Sequence, residues 1–352
     1  MVRVTMPETA RVKRLEELAH VAELHYREGL DQKEIALRVH TSRSTVSRML
    51  RDAVELGIVE VTIRHPFPRD TQLEQELIAA LGLTEAWVLG RDTMETEDDK
   101  RAFGTLGARC IEQQLVAQVQ ERGQRGGKRK NGGASLAICW GRATKLVVEN
   151  LQPMSNLQVH LIQMIGSLGT SDSENDGIEL TRLGARRMEG SYQLLSAPLV
   201  VDDADFAQSL LKQSAIATVL AAAEKADCAL VGLGTTERQS SALLSAGFMG
   251  VGELAEARNL GAVGDVSGIL IDGDGNSVPS AFSARVISLP LSRLKNIRRV
   301  VGVAFGAEKA AVIRAAAVGG HIRVLITDRS AAKRTLELVA ASRSSTEKAR
   351  NE

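Results

Sequence analysis

The sequence predicts an α/β protein in two parts. An N-terminal all-α helix-turn-helix domain with its linker occupies 1–68, a large α/β domain 69–340 and a polar tail 341–352. Three observations carry this expectation. The 352 residues exceed the roughly 150 of one average domain. Three helical periodicities precede a proline-rich break, and beyond it short apolar runs alternate with helical stretches.

In RVKRLEELAHVAELHYREG, residues 11–29, Leu15, Leu18, Val21, Ala22 and His25 recur at helical spacing, and Gly29 supplies a stop. Asp31 then has the chemistry of an N-cap, with Glu34 three residues on completing a capping box and Ile35, Ala36 and Val39 forming an apolar face. After His40 and Thr41, Ser42 caps a third helix that ends at Gly57. IVEVTIR alternates as a strand. HPFP reads as a linker, because two prolines in four residues continue neither helix nor strand.

Beyond residue 68 the apolar runs EAWVLG, SLAICWG, LQVHLIQMIGS, CALVGLG, GILID, VVGVAFG and IRVLITD read as strands, with helical stretches at 97–121, 175–189 and 307–318. Strands apolar throughout and joined by helices imply a largely parallel sheet covered on both faces. Several end in glycine, at Gly141, Gly166, Gly232, Gly234 and Gly306, where an open α/β sheet places its ligand crevice. The basic stretch ERGQRGGKRKNGG, 121–133, has no aromatic residue to stack on bases and reads as a solvated loop. The tail 341–352 is polar and reads as lacking structure.

Composition narrows the function classes. Hydrophobic residues at 44% and charged residues at 25% are ordinary for a globular chain. The three cysteines, Cys110, Cys139 and Cys228, match no zinc or disulfide spacing and point to a reducing compartment. No apolar run reaches the roughly 18 residues of a spanning helix, and the start lacks the apolar stretch of a secretory signal. A cytoplasmic location, no membrane contact, no metal and no cofactor are expected. A net charge of +1 gives no global case for nucleic-acid binding. That case is local: from Arg38 to Arg51 lie Arg38, Arg43, Arg48, Arg51 and His40 with no acid between them.

In the third helix Val46, Met49, Leu50 and Val54 share one face, and Ser44, Ser47, Arg48 and Arg51 lie almost opposite. Such a helix fits the major groove of double-stranded operator DNA, where arginine reaches guanine O6 and N7 and small hydroxyls serve bases or phosphates. Arg43, Ser44, Thr45, Ser47 and Arg48 are the main candidates. Ser42 and Arg51 flank them, and Gln32 at the start of the second helix is placed to meet the DNA backbone.

The stretch GLDQKEIALRVHTSRSTVSRMLRDAVELGIVEVTI closely resembles the SorC family of sugar-responsive regulators. WGRAT at 140–144, QMIGSLG at 163–169, SAPLVV at 196–201, GAVGDVSG at 261–268, GVAFGAEKAAVIRAAAVGG at 302–320 and VLITD at 324–328 follow in that family's order. The resemblance implies a sugar-phosphate isomerase/CoA-transferase-like α/β effector domain, a phosphorylated sugar or polyol effector, and a homo-oligomer, dimer or tetramer, on DNA. By the same resemblance Gly141, Arg142 and Thr144 match a phosphate-cradling turn, and Gly166 and Ser167 a second strand-end loop. Asp265 matches the carboxylate that accepts sugar hydroxyls, and Lys309 the cation that reaches the effector. The basic stretch before SLAICWG looks like an insertion. Ala143 stands where some relatives carry a second hydroxyl.

Two alternatives stay open at this point. A sugar-phosphate isomerase-like enzyme would need a positioned acid and base; no such paired motif stands out, and most of the six histidines lie in or near the first domain. DGDGN lacks the downstream glutamate of a calcium loop. The other alternative is a constitutive oligomeric DNA-binding protein without effector. Aromatic content of 3% weakens the case for a stacking-type sugar site.

Overall fold

The computed structural model describes residues 8–59, 69–124, 133–169 and 173–351. Most of the strand expected over IVEVTIR, the HPFP linker and the centre of the basic 121–133 stretch lie outside the described residues. The chain divides into two units, Met1–Pro66 and Phe67–Glu352.

The first unit holds α1 (Glu8–Tyr26), α2 (Gln32–Arg38) and α3 (Arg43–Glu55). Asp31 Oδ1 accepts the Lys33 and Glu34 N–H groups at 2.7 and 2.8 Å, and Glu34 Oε2 returns the bond to the Asp31 N–H at 2.8 Å, so the capping box is complete. Ser42 Oγ accepts the Thr45 N–H at 3.1 Å and caps α3. Between them α2 ends in a Schellman motif: the Thr41 N–H reaches Ala36 O at 2.9 Å, with His40 at φ 53. Leu18, Val21, Ala22, Leu24, Ile35, Ala36, Val46, Met49, Leu50 and Ala53 form the core. Two expectations need correction. Ala53, not Val54, completes the inner face of α3; Val54 is 43% exposed because the i, i+3, i+4, i+7 stripe closes one residue earlier. Leu24 is buried in α1 while Leu15 stays outside the core.

The second unit runs α4 (Thr71–Leu81), β1 (Glu85–Leu89), α5 (Glu97–Gln124), β2 (Ser135–Ile138), α6 (Arg142–Glu149), β3 (His160–Gln163), α7 (Gly177–Arg187) and β4 (Ser191–Gln193). It continues with α8 (Ala204–Leu211), α9 (Ser214–Glu224), β5 (Cys228–Thr235), α10 (Ala242–Ser245), α11 (Val251–Asn259), β6 (Ala262–Val266) and β7 (Ile269–Asp272). Last come α12 (Leu291–Leu294), β8 (Arg299–Val303), α13 (Ala310–Val318), β9 (Val324–Asp328) and α14 (Arg329–Asn351). The tail expected to lack structure is therefore, through Asn351, the last turns of α14. That helix is anchored by buried Ala331, Ala332, Thr335 and Val339 and needs only tolerant residues to propagate.

The sheet order is β1-β9-β8-β5-β2-β3-β4, with parallel neighbours throughout; β6 joins β5 antiparallel and β7 joins β6. Alternate residues feed two cores, as the apolar strands predict. Leu136, Ile138, Leu230, Val301 and Ile326 pack with α5, α6 and α7; Ala137, Ala229, Val231, Val300 and Leu325 pack with α4, α9, α13 and α14. The chain leaves β2 through α6 on one face toward β3, and leaves β8 through α13 on the other face toward β9. Strand order thus reverses between β2 and β5, and a crevice opens beyond their carboxyl ends.

Candidate functional site

In the first unit, Arg43, Ser44, Arg48 and Arg51 are exposed on α3, Thr45 and Ser47 are half-buried, and Gln32 is half-buried at the start of α2. Arg38 is paired with Glu28 at 2.9 Å and Arg14 with Asp52 at 3.1 Å. Arg43, Arg48 and Arg51 make no ion pair or hydrogen bond among the described residues. The outward cations of α3 are thus uncommitted, while Arg38, which looked basic in sequence, is neutralised. Ser42 Oγ lies 2.8 Å from both the Ser44 and Thr45 hydroxyls, so these three groups share one network at the uncovered start of α3.

In the second unit a cavity of about 60 Å³, open to solvent, lies at the β2/β5 switch point. Its walls come from the turn after β2 (Trp140 to Thr144), the end of β5 (Gly232 to Gly234), the β6–β7 hairpin (Asp265, Ser267) and the segment after β8 (Val303 to Phe305, Glu308, Lys309). Gly141, at φ 121 and ψ 159, is the N-cap of α6 and offers no side-chain cap. Only glycine holds this conformation readily, and the first-turn N–H groups of α6 have no intrahelical acceptor. The Gly141 N–H itself is tied to Asn175 O at 3.1 Å, which fixes the turn. Thr144 is fully buried and donates its hydroxyl to Trp140 O at 3.3 Å.

The opposite wall is built by the β6–β7 hairpin. Its two-residue turn, Ser267–Gly268, has φ 52 and 80, the signature of a type I′ connection. The Gly268 N–H reaches back to Asp265 Oδ2 at 2.9 Å and locks the carboxylate inward. Gly234 is paired opposite Asp265, and a Cβ there would lie 1.8 Å from Asp265 Oδ1, so the carboxylate occupies the space a side chain would need. Burial pushes the Asp265 carboxyl above its usual range, opposed by the Gly268 N–H and the charge of Lys309. Burial likewise pulls Lys309 below the usual lysine range, with Asp265 and Glu308 opposing and Arg142 adding to the fall. Lys309 is 9% exposed and makes no ion pair or hydrogen bond among the described residues. Beneath the floor Cys139 Sγ accepts the Gly232 N–H at 2.9 Å, joining β2 to β5; burial keeps it a thiol. All three cysteines are free and buried.

The family model Sugar-bind, described as "Putative sugar-binding domain", matches residues 65–337. The sorbitol operon regulator of Klebsiella pneumoniae is 28% identical over 322 residues, 91% of this chain and 97% of that protein. The transcriptional regulator LsrR of Escherichia coli strain K12 is 32% identical over 320 residues, 90% of this chain and 93% of that protein. The crystal structure of full-length SorC from Klebsiella pneumoniae superposes with a TM-score of 0.66 at 27% identity, covering 92% of this chain and 99% of that one. The chain belongs to the SorC family of sugar-binding transcriptional regulators. A helical N-terminal unit that fits a helix-turn-helix domain precedes the α/β sugar-binding domain, and the relationship favours effector-controlled DNA-binding regulation over the enzyme and effector-free alternatives.

Of the effector residues expected for this SorC-family chain, the fold brings Gly141, Arg142, Thr144, Asp265 and Lys309 to one cavity. It does not bring Gly166 and Ser167 there. The Ser167 hydroxyl donates to Asp176 Oδ2 at 2.6 Å, and a Cβ on Gly166 would lie 2.2 Å from Pro198 O, so this loop braces the neighbouring backbone. Sequence reading missed Trp140 and Phe305, which line the cavity despite the low aromatic content. Each stands directly before a strand-end glycine, Gly141 and Gly306, and that position was the available signal. Trp140 meets Phe248 edge-on at 6.5 Å and Phe305 meets Phe103 at 5.4 Å, so both rings are set by packing. Ser267 was also missed. Its buried Oγ makes no regular hydrogen bond and leans toward Cys139. Among the described residues no cluster of metal-ligating side chains occurs and no helix is long and apolar enough to cross a membrane.

Proposed function

We propose that the cavity binds a phosphorylated sugar or polyol, and that its occupancy changes how a homo-oligomer, dimer or tetramer, grips operator DNA in the cytoplasm. One observation carries this reading: the buried, unpaired Lys309 shares a cavity with the uncapped start of α6. A buried ammonium that lacks a hydrogen-bonded partner is costly even with Asp265 and Glu308 supporting its charge, and free helix N–H groups favour an anion. A phosphate between them satisfies both. Arg142, exposed at the mouth, adds a second cation, and Asp265, fixed by Gly268, is placed to accept hydroxyl groups of the polyol.

In the first unit, Arg43, Ser44, Thr45, Ser47, Arg48 and Arg51 form the surface that enters the major groove, with Ser42 holding the start of α3 and Gln32 meeting the backbone. The near balance of charge over 1–68 leaves one such unit a weak polyanion binder. Specific grip then comes from two or more units held together, and effector binding acts by changing their placement relative to the half-sites. Turnover is not part of this reading, in which the carboxylates Asp265 and Glu308 stand beside the cations Arg142 and Lys309.

The test is thermal stabilisation of the full chain by a panel of phosphorylated and unphosphorylated sugars and polyols, with operator binding followed alongside. Phosphorylated compounds raise the melting temperature, and Lys309→Ala removes the response while DNA affinity persists. Losing a charge-assisted hydrogen bond of about 1.5–3 kcal/mol weakens effector binding roughly 10- to 100-fold. A panel without effect on a DNA-competent protein, or isomerisation of any panel member, overturns the proposal.

A further inference from the structure

Two walls of the cavity are anchored in different directions. The turn after β2 is tied to the segment before α7, since the Gly141 N–H donates to Asn175 O at 3.1 Å. The turn after β8 is tied across the sheet: the Gly306 N–H donates to Oδ1 of Asp328, the last residue of β9, at 3.1 Å. This second turn carries Lys309, whose own N–H donates back to Gly306 O at 3.0 Å. Gly306 therefore joins the buried cation of the cavity to β9.

Asp328 is fully buried, and both its oxygens are engaged. Oδ1 also accepts the Ala331 N–H at 3.2 Å and Oδ2 the Ser330 hydroxyl at 2.7 Å, so one carboxylate holds the cavity turn and the start of α14 together. The next residue, Arg329, reaches a different partner set. Its Nε donates to Asp70 Oδ2 at 2.9 Å, its backbone N–H to Arg91 O at 3.2 Å, and its Nη1 lies 3.4 Å from Asp92 Oδ2.

Asp70 is the N-cap of α4, where its Oδ1 accepts the Leu73 N–H at 3.2 Å, and its N–H donates to Val88 O of β1 at 2.9 Å. Arg69 beside it makes a two-pronged pair with Glu74 at 2.8 and 2.9 Å and lies 3.7 Å from the centre of the Trp87 ring. These are the first described residues after the linker. Leu89 of β1 stands beside Asp328 in the sheet and bridges to Arg69. Gly306, Asp328, Leu89 and Arg69 thus form one line across the carboxyl ends of β8, β9 and β1.

We propose that Asp328 and Arg329 are positioning residues that couple the cavity to the segment where the linker enters the α/β unit, with the Arg329–Asp70 ion pair as the joint. This rests on the phosphate reading of the cavity given above. An anion drawn to Lys309 shifts the turn hinged at Gly306, whose backbone is free to adjust. A fully buried carboxylate loses much by giving up a donor, so Asp328 follows Gly306 and carries Arg329 with it. Arg329 in turn pulls on Asp70. The start of α14 is then the element whose placement both ends bias, as coupling between sites requires.

The experiment is hydrogen–deuterium exchange of the full chain in inorganic phosphate, against chloride at equal ionic strength. Exchange reports local opening of the backbone. In wild type, phosphate slows exchange in 303–316, which holds the Gly306 turn, and also in 69–78, each roughly fivefold or more, the low end of usual coupling between sites. Arg329→Ala and Asp70→Asn keep the response of 303–316 and lose that of 69–78. Asparagine still caps a helix, so the second variant leaves the start of α4 intact. Asp92→Asn removes only an exposed partner of Arg329 and keeps both responses. The proposal fails if 303–316 responds in wild type without 69–78, if Arg329→Ala or Asp70→Asn keeps the response of 69–78, or if Asp92→Asn loses it as well; in each case the phosphate reading stands. If phosphate does not slow exchange in 303–316 of wild type, the phosphate reading falls and this inference falls with it.

Discussion

The three-helix unit and the α/β unit reach their working surfaces by opposite routes. In the first, both ends of α2 and the start of α3 are set within a turn: Asp31 with Glu34, His40 with Thr41, Ser42 with Thr45. In the second, the cavity is assembled from segments remote in sequence, as where Cys139 Sγ meets the Gly232 N–H 93 residues away. A surface set by local rules is robust to change elsewhere. A surface set by strand order depends on each backbone approach that lets the strands converge.

The sharpest way to break this comparison is Gly234→Ala. Its Cβ would collide with Asp265 Oδ1, and Asp265 cannot move freely because Gly268 holds it. We expect a stability loss of about 1–3 kcal/mol in the second unit and loss of the effector response. DNA affinity of the remaining folded protein should be unaffected. Calorimetry and operator titration check this, and wild-type effector affinity would refute the geometry. Next comes Arg48→Ala, which should cost about 1–3 kcal/mol on a cognate operator if it reads a base, or lower the salt slope by about 1 if it holds a phosphate. Fluorescence anisotropy at several salt concentrations separates these, and no change in either removes Arg48 from the interface. The smallest effect is that of Ser42→Ala. Loss of this N-cap costs about 1 kcal/mol, lowering the melting point of a unit this small by roughly 4–8 °C. Effector affinity of the second unit should stay unchanged.

The same contrast explains what was legible in advance. Capping residues and the apolar stripe of α3 located the helices of the first unit nearly to the residue, and the error at Val54 was one of phase, where Ala53 closed the face instead. Strand-end glycines marked the crevice of the second unit for two different reasons: Gly141 and Gly306 take a positive φ where the chain turns from strand to helix, whereas Gly234 leaves room for the Asp265 carboxylate. The same signal misplaced Gly166, whose glycine is required by packing on Pro198 rather than by the cavity. Sequence shows that a close approach is needed but not what approaches.

The sequence by itself determined the two-part organisation, the caps of α2 and α3, the outward arginines and the family, since each is written in residues near one another or in motifs kept in order. Only the tertiary structure decided that Arg38 is spent on Glu28, that Gly234 makes room for Asp265, and that Asp328 holds the Gly306 N–H. The physical reason is that charge pairing and steric room are properties of atoms within a few ångströms. In the α/β unit those neighbours are chosen by strand order.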